Sequence, residues 1–298
     1  MTTDIRNGFL AALAAYLIWG LLPLYFKWLG HIAPADMLAQ RILWSVPTGI
    51  LLLSVARRWS DFKGALQPRH LRWLLLSGLF IGGNWFLYIW AVGQGRVMEA
   101  SLGYYLNPLV NVALGSIFLS ESLRRAQWVA VGLACGGVAI MAQALGQLPW
   151  VSLVLCFSFS FYGLIRKQVP VDGRAGFLVE AAVLLPLAMG WTVFQLSQPG
   201  TAPFGDGGWN VLALAISGPL TAVPLILFAV AAKRLMLATI GMMQYIAPTL
   251  QFLVAILYGE AFSMTHALAF TFIWSALILF TIDGILGNRR AQQPPRAA

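Results

Sequence analysis

Ser101–Glu121, SLGYYLNPLVNVALGSIFLSE, and Thr239–Glu260, TIGMMQYIAPTLQFLVAILYGE, read as two copies of one segment. Superimposed at Pro108 and Pro248, they match Tyr105 with Tyr245 and Leu106 with Ile246. They also set Tyr104, Pro108 and Asn111 on Gln244, Pro248 and Gln251. These separations put each trio on one face of a helix, because residues three, four and seven apart share a face. Each helix therefore carries a polar, proline-bent stripe within an apolar span. Lipid offers polar side chains no partner, so the stripes should face an interior, a cavity or another helix. They are the candidate working surface.

The rest of the composition fits that reading. The 298 residues are 59% hydrophobic and 10% charged, and include 12 tryptophans. The mean hydropathy is +0.78. A soluble domain carries roughly 25% charged residues, so the class is an all-α polytopic membrane protein. The net charge of +9 sits in short basic clusters between apolar runs. No extended basic stripe with interleaved aromatics is present, so no nucleic-acid partner is expected. Cys135 and Cys156 lie inside apolar spans without a motif. His31, His70 and His266 share no metal-ligand spacing, so neither metal nor cofactor is expected. Residues 8–28 form too long an apolar run for a signal peptide, and no small-residue cleavage site follows.

Ten windows are apolar and long enough to cross about 30 Å of hydrocarbon, which takes roughly 20 residues. They are 8–28, 36–56, 72–93, 98–120, 125–143, 149–166, 174–195, 209–232, 238–258 and 266–286. With the N-terminus placed in the cytoplasm, 16 of the 19 Lys and Arg residues fall on inner segments. Only Lys27 and Arg96 fall outside, and Arg41 lies within the second span. That bias predicts a multi-pass protein of the cytoplasmic membrane with both termini inside.

Register then points to a repeat. WAVGQGRVMEASLG (90–103) overlays FAVAAKRLMLATIG (228–241), matching Ala91 with Ala229, Arg96 with Arg234, Met98 with Met236 and Gly103 with Gly241. Ile18-Trp19-Gly20 resembles Phe161-Tyr162-Gly163. Arg41 and Glu180 each stand six residues before a proline, Pro47 and Pro186. Five helices per half is an odd number, so the halves should be inverted relative to each other. The expected organisation is a first five-helix repeat over 1–145, a second over 146–288 and a disordered cytoplasmic tail over 289–298.

NPLVN (107–111), FYGLIRK (161–167), QYIAPTL (244–250) and YGE (258–260) resemble the drug/metabolite transporter superfamily, EamA type, and within it the RarD branch. The resemblance extends over about residues 5–286. It implies a permease with a pathway between two halves, lined by the first, third, fourth, sixth, eighth and ninth helices.

Candidate pathway residues follow. Asn107, Asn111, Gln244 and Gln251 are neutral polar groups able to bind carbonyl, carboxylate or ammonium groups, or else to join helices to one another. Pro108 and Pro248 each remove a backbone bond and are candidate hinges, or plain packing kinks. Tyr16, Trp19, Asn84, Tyr88, Tyr104 and Tyr162 would give aromatic walls with polar tips, suited to an amphipathic solute. Membrane-interface belts are the rival explanation for those aromatics. Arg41 and Glu180 are the charges deepest in spans, and each should have a partner. Either could be a counter-charge or gate for the solute, but ion pairing between helices is favoured because the second and seventh helices fall outside the implied lining set. Arg41 could also snorkel outward. Gly78/Gly82 and Gly132/Gly136 have small-xxx-small spacing for close helix contact. Glu121 and Glu260 read as helix-end caps or salt bridges.

No catalytic constellation is present: HExxH, GxSxG and carboxylate dyads are all missing from the spans. No P-loop appears, so ATP is not the direct energy source. The expectation is a secondary transporter exporting small amphipathic metabolites or drug-like compounds by alternating access. Its partners would be a small-molecule solute and the lipid bilayer. Protons are a candidate coupling ion, with passive or exchange transport as the alternative. The rivals are an uptake permease of the same fold and a non-transporting scaffold or sensor.

Overall fold

The computed structural model describes residues 3–94, 96–143, 150–200, 204, 207–258 and 264–291. Twelve helices run through them: α1 (Thr3–Trp28), α2 (Pro34–Val55), α3 (Trp59–Ala65), α4 (Pro68–Gly93), α5 (Val97–Leu119), α6 (Arg125–Gln143), α7 (Trp150–Gln168), α8 (Gly173–Leu196), α9 (Gly208–Ala232), α10 (Leu237–Gln244), α11 (Ile246–Leu257) and α12 (Met264–Ala291). Ten segments are long and apolar enough to span a bilayer, with α10 and α11 together making one of them.

Local chemistry sets the ends. Pro34 opens α2, where its missing N–H would have had no helical partner. The Asp172 carboxylate accepts from the Arg174 N–H at 2.9 Å and caps α8. Ser120 closes α5 in the left-handed conformation at φ 52°, which lets the Glu121 N–H reach the Gly115 carbonyl at 3.1 Å.

Three elements depart from the expected spans. The short α3 lies between the second and third spans, in a basic stretch that hydropathy passes over. The ninth span breaks at Tyr245, because Pro248 has no N–H for the Gln244 carbonyl and its ring crowds that carbonyl. Pro108, by contrast, sits inside a continuous α5. Finally, α12 stays helical to Ala291, into the segment expected to be tail; residues 292–298 lie outside the described residues, as does Glu260.

Packing is organised around α2 and α5. α2 lies between α8 and α9, and α5 lies between α7 and α10. α1 packs on α9 and α11, α4 on α7 and α8, while α6 and α12 pair with each other. Small residues permit the close approaches. A side chain at Gly218 would run into the Trp44 carbonyl, and one at Gly241 would come within 2.8 Å of the Pro108 carbonyl oxygen. Gly78 and Gly82 admit α8 against α4, but Gly132 meets nothing; Gly136 and Gly137 make the contact with α12. Leu51, Val55, Phe86, Leu187 and Val193 point outward. Such an apolar exterior suits hydrocarbon and would promote association in water.

Consecutive spans alternate in direction, so the bundle has two distinct ends. One carries α3, Arg57, Arg58, Arg124, Lys167 and Lys233 and is called the basic end here. The other carries the α1–α2 turn.

Candidate functional site

A cavity of about 390 Å³ lies between the helices and reaches the α1–α2 turn at Gly30, Ile32 and Pro34. Its wall is mostly apolar and aromatic, with Trp19 and Phe26 from α1, Trp85 and Tyr88 from α4, Tyr104 from α5 and Phe159 from α7. Neutral polar groups come from Asn84, Thr221, Gln244 and Gln251, and a single guanidinium from Arg41. Large apolar clefts with a few convergent polar groups are the usual form of a small-molecule site.

The expected residues divide by depth. Trp19, Asn84, Tyr88, Tyr104, Gln244, Pro248 and Gln251 are on the wall. Tyr16, Asn107, Asn111 and Tyr162 are not, because each is buried one layer behind it or further towards the basic end. The Tyr16 hydroxyl donates to the Ile240 carbonyl at 2.9 Å. Ser160 donates to the Asn107 side-chain oxygen at 3.3 Å. Asn111 donates to the Gln244 side-chain oxygen at 3.2 Å and so reaches the cavity only through Gln244. Pro108 lies off the wall, against α10 at Gly241. The asymmetry has a simple cause. The fourth and ninth spans run in opposite directions, so the far ends of their stripes lie at opposite depths. A cavity confined to one half of the bundle meets Tyr104 and Gln251 but not Asn111.

Polar groups on the wall are fixed by neighbours. The Asn84 amide donates to the Leu155 carbonyl at 2.8 Å and to the Ser158 hydroxyl at 2.9 Å, tying α4 to α7. The Gln251 amide donates to the Trp19 carbonyl at 3.1 Å, tying α11 to α1. Tyr88 and Tyr104 meet edge to face with centroids 5.7 Å apart.

Beneath the cavity, an aromatic layer closes the way towards the basic end. Trp19 packs on Phe159 and Phe228 at 5.9 Å, Tyr16 on Trp19 at 5.7 Å, and Tyr162 stacks on Phe228 at 5.9 Å. Below it, the Glu121 carboxylate accepts from the N–H groups of Leu237 and Ala238 at 2.7 and 3.1 Å and lies 3.5 Å from the Lys167 ammonium. It caps the first turn of α10, where backbone donors lack helical partners. Lys167 also donates to the Leu235 carbonyl, and Lys233 to the Val171 carbonyl. Lys233 lies just beyond the eighth span, and desolvation, helped by Arg166 and Arg234, lowers its ammonium to about 8.

The two charges placed deepest in the spans have different fates. Glu180 pairs with Arg166 at 3.6 Å, with both side chains at most 3% exposed. It also accepts from Ser77 at 2.5 Å. This pair joins α7 and α8 away from the cavity wall. Arg41 makes no ion pair among the described residues. Its Nε donates to Thr221 at 3.1 Å, and its guanidinium lies over the rings of Trp85 at 5.1 Å and Phe26 at 5.5 Å. The ion pair favoured for Arg41 on sequence grounds is therefore not formed, and the second helix contributes to the wall. Phe26, Trp85, Phe159 and Thr221 were not singled out from the sequence. Thr221 stands between Pro219 and Pro224, on the α9 face that also carries Asn210 and Ser217, a polar periodicity that marks it in the sequence.

Comparison with known proteins places this chain among transporters. The EamA-like transporter family profile matches residues 6–143. Protein RarD of Escherichia coli (strain K12) is 44% identical, over 97% of this chain and 98% of its own length. An uncharacterized transporter of Pseudomonas aeruginosa is 45% identical, over 98% of this chain and 99% of its own. A crystal structure superposes with a TM-score of 0.70 at 25% identity, covering 92% of this chain and 97% of that one.

Proposed function

The chain belongs to the EamA-like transporter family, in its RarD branch, and from that membership we propose a secondary transporter that exports small amphipathic metabolites or drug-like compounds across the cytoplasmic membrane. It is a membrane transporter and not an enzyme. The observation that carries the finer reading is the one-ended cavity: open space towards the α1–α2 turn, and an aromatic and polar seal towards the basic end.

Alternating access requires that seal to open while the other end closes. The contact pattern supports two inverted five-helix repeats, 1–145 and 146–288. Exchanging first-half spans for their second-half counterparts turns the α1–α9 contact into α7–α4, and α2–α9 into α8–α4. The same exchange leaves α2–α8, α5–α10 and α6–α12 unchanged. Rocking about such an axis is the usual route to alternating access in repeat transporters. The positive-inside bias favours cytoplasmic termini and a cavity facing outward in this state. Among the described residues no carboxylate is on the cavity wall, which favours passive flux or exchange over proton coupling.

The test compares cells carrying wild type or Gln251→Leu at matched expression, challenged with toxic amino-acid analogues and antibiotics. Gln251→Leu removes the α11–α1 bond and a polar wall group. Selective resistance that the variant loses, with its membrane level unchanged, is the expected result. Selective sensitisation would reverse the direction to uptake. Equal tolerance of every compound in cells with and without the protein would overturn the export of such compounds.

A further inference from the structure

Arg41 is the one charged side chain on the cavity wall, and no carboxylate among the described residues balances it. We propose that Arg41 is a counter-charge for the solute, and that the cavity takes organic monoanions with an aromatic or apolar body and no free ammonium group. This rests on the transport reading and names its substrate class.

Three features carry it. Arg41 is half-buried and faces the cavity from within a membrane span, whereas a purely structural role would be served by a partner such as the one Glu180 has in Arg166. Arg41 is instead oriented and left incomplete. Thr221 holds Nε, and Trp85 and Phe26 flank the guanidinium, so the two Nη groups have no protein acceptor among the described residues. A guanidinium presenting its donors as a planar fork matches a carboxylate in two parallel hydrogen bonds. The polar rings that share the wall with it, Tyr88 and Tyr104, bear phenols and not carboxylates.

The rest of the wall describes the other part of the solute. Trp19, Tyr88, Tyr104 and Phe159 offer ring faces and edges, while Asn84, Gln244 and Gln251 offer neutral polar contacts. No carboxylate among the described residues is on the wall, so an amine would be repelled by Arg41, and a zwitterion's ammonium would find ring faces and neutral amide oxygens but no counter-charge. An interior-negative membrane potential drives an anion outward, which agrees with export and needs no coupling ion.

The experiment is calorimetric titration of the full-length protein in nanodiscs with matched probe sets. These are indole-3-acetate, indole-3-acetamide and tryptamine, then 3-phenylpropionate, its amide and 3-phenylpropylamine. In wild type, at least one carboxylate is expected to bind more tightly than its amide by on the order of 10-fold or more, with the amine weakest. Arg41→Gln should abolish that preference, and Arg41→Lys should keep part of it. The wild-type series decides without a variant, so a misfolded Arg41→Gln protein leaves the test intact. Binding of no carboxylate, amides or amines as tight as the acids, or a preference surviving in Arg41→Gln would each overturn the proposal. Flux in proteoliposomes separates the two readings. Gln251-dependent movement of amides without any movement of acids keeps transport and sinks the anion site. Arg41-dependent binding of acids without flux keeps the site and sinks transport.

Discussion

Glu180 and Arg166 show what a buried charge requires in this protein. Each is nearly inaccessible, and the pair holds α8 to α7 with Ser77 of α4 as a third member. Removing one partner leaves the other charge buried and alone, which costs about 3–5 kcal/mol, whereas replacing both with apolar groups is far less damaging. Glu180→Ala should therefore sharply lower the unfolding temperature in detergent, and adding Arg166→Met should restore much of the loss. A double variant no more stable than Glu180→Ala would show that the pair is not the source of the effect. Sequence alone marked Glu180 as deep in a span and in need of a partner. It could not name Arg166, because partner choice depends on how α7 meets α8. The same limit applied to Arg41, whose surroundings of Thr221, Trp85 and Phe26 come from three different helices.

Helices that look alike in sequence behave differently according to what surrounds their prolines. Pro108 is accommodated within an unbroken α5, while Pro248 divides the ninth span into α10 and α11 on the cavity wall. A proline in a helix interior costs roughly 3 kcal/mol, a cost that persists where the break has a use. Pro248→Ala should restore the hydrogen bond to the Gln244 carbonyl, join α10 to α11 and leave the protein at least as heat-stable as wild type, while transport falls. Pro108→Ala should change transport less. Full transport by Pro248→Ala would mean that the break is packing alone. Hydropathy and charge placement made the ten spans legible, because lipid imposes length and apolarity on each one. They could not show α3, which is only seven residues long and lies in a basic stretch, nor the break at Tyr245, since both proline spans have the same pattern. Helical periodicity likewise identified the face bearing Tyr104 and Asn111, but not the depth at which the cavity ends.

Between the two ends of the bundle, opening is a competition between seals. The basic end is closed by the Tyr16–Ile240 bond, the aromatic layer and the Glu121 cap on α10. The other end stands open to Pro34. If the halves rock, weakening one seal must shift population towards the state in which the opposite end closes, because a two-state equilibrium responds to either side. Leu38 lines the cavity and offers a reporter there. In a background with Cys135 and Cys156 replaced by alanine, Leu38→Cys should react with a membrane-impermeant maleimide added outside the cell. Adding Glu121→Ala removes an acceptor from two helix N–H groups and the partner of Lys167. Losing such bonds costs about 1–3 kcal/mol, enough for a roughly 5- to 150-fold change in the balance of states. External labelling of Leu38→Cys should then slow. Labelling only from the cytoplasmic side would invert the assigned orientation. An unchanged external rate, with the protein intact, would mean that the two seals are not linked and that rocking is not how this bundle opens.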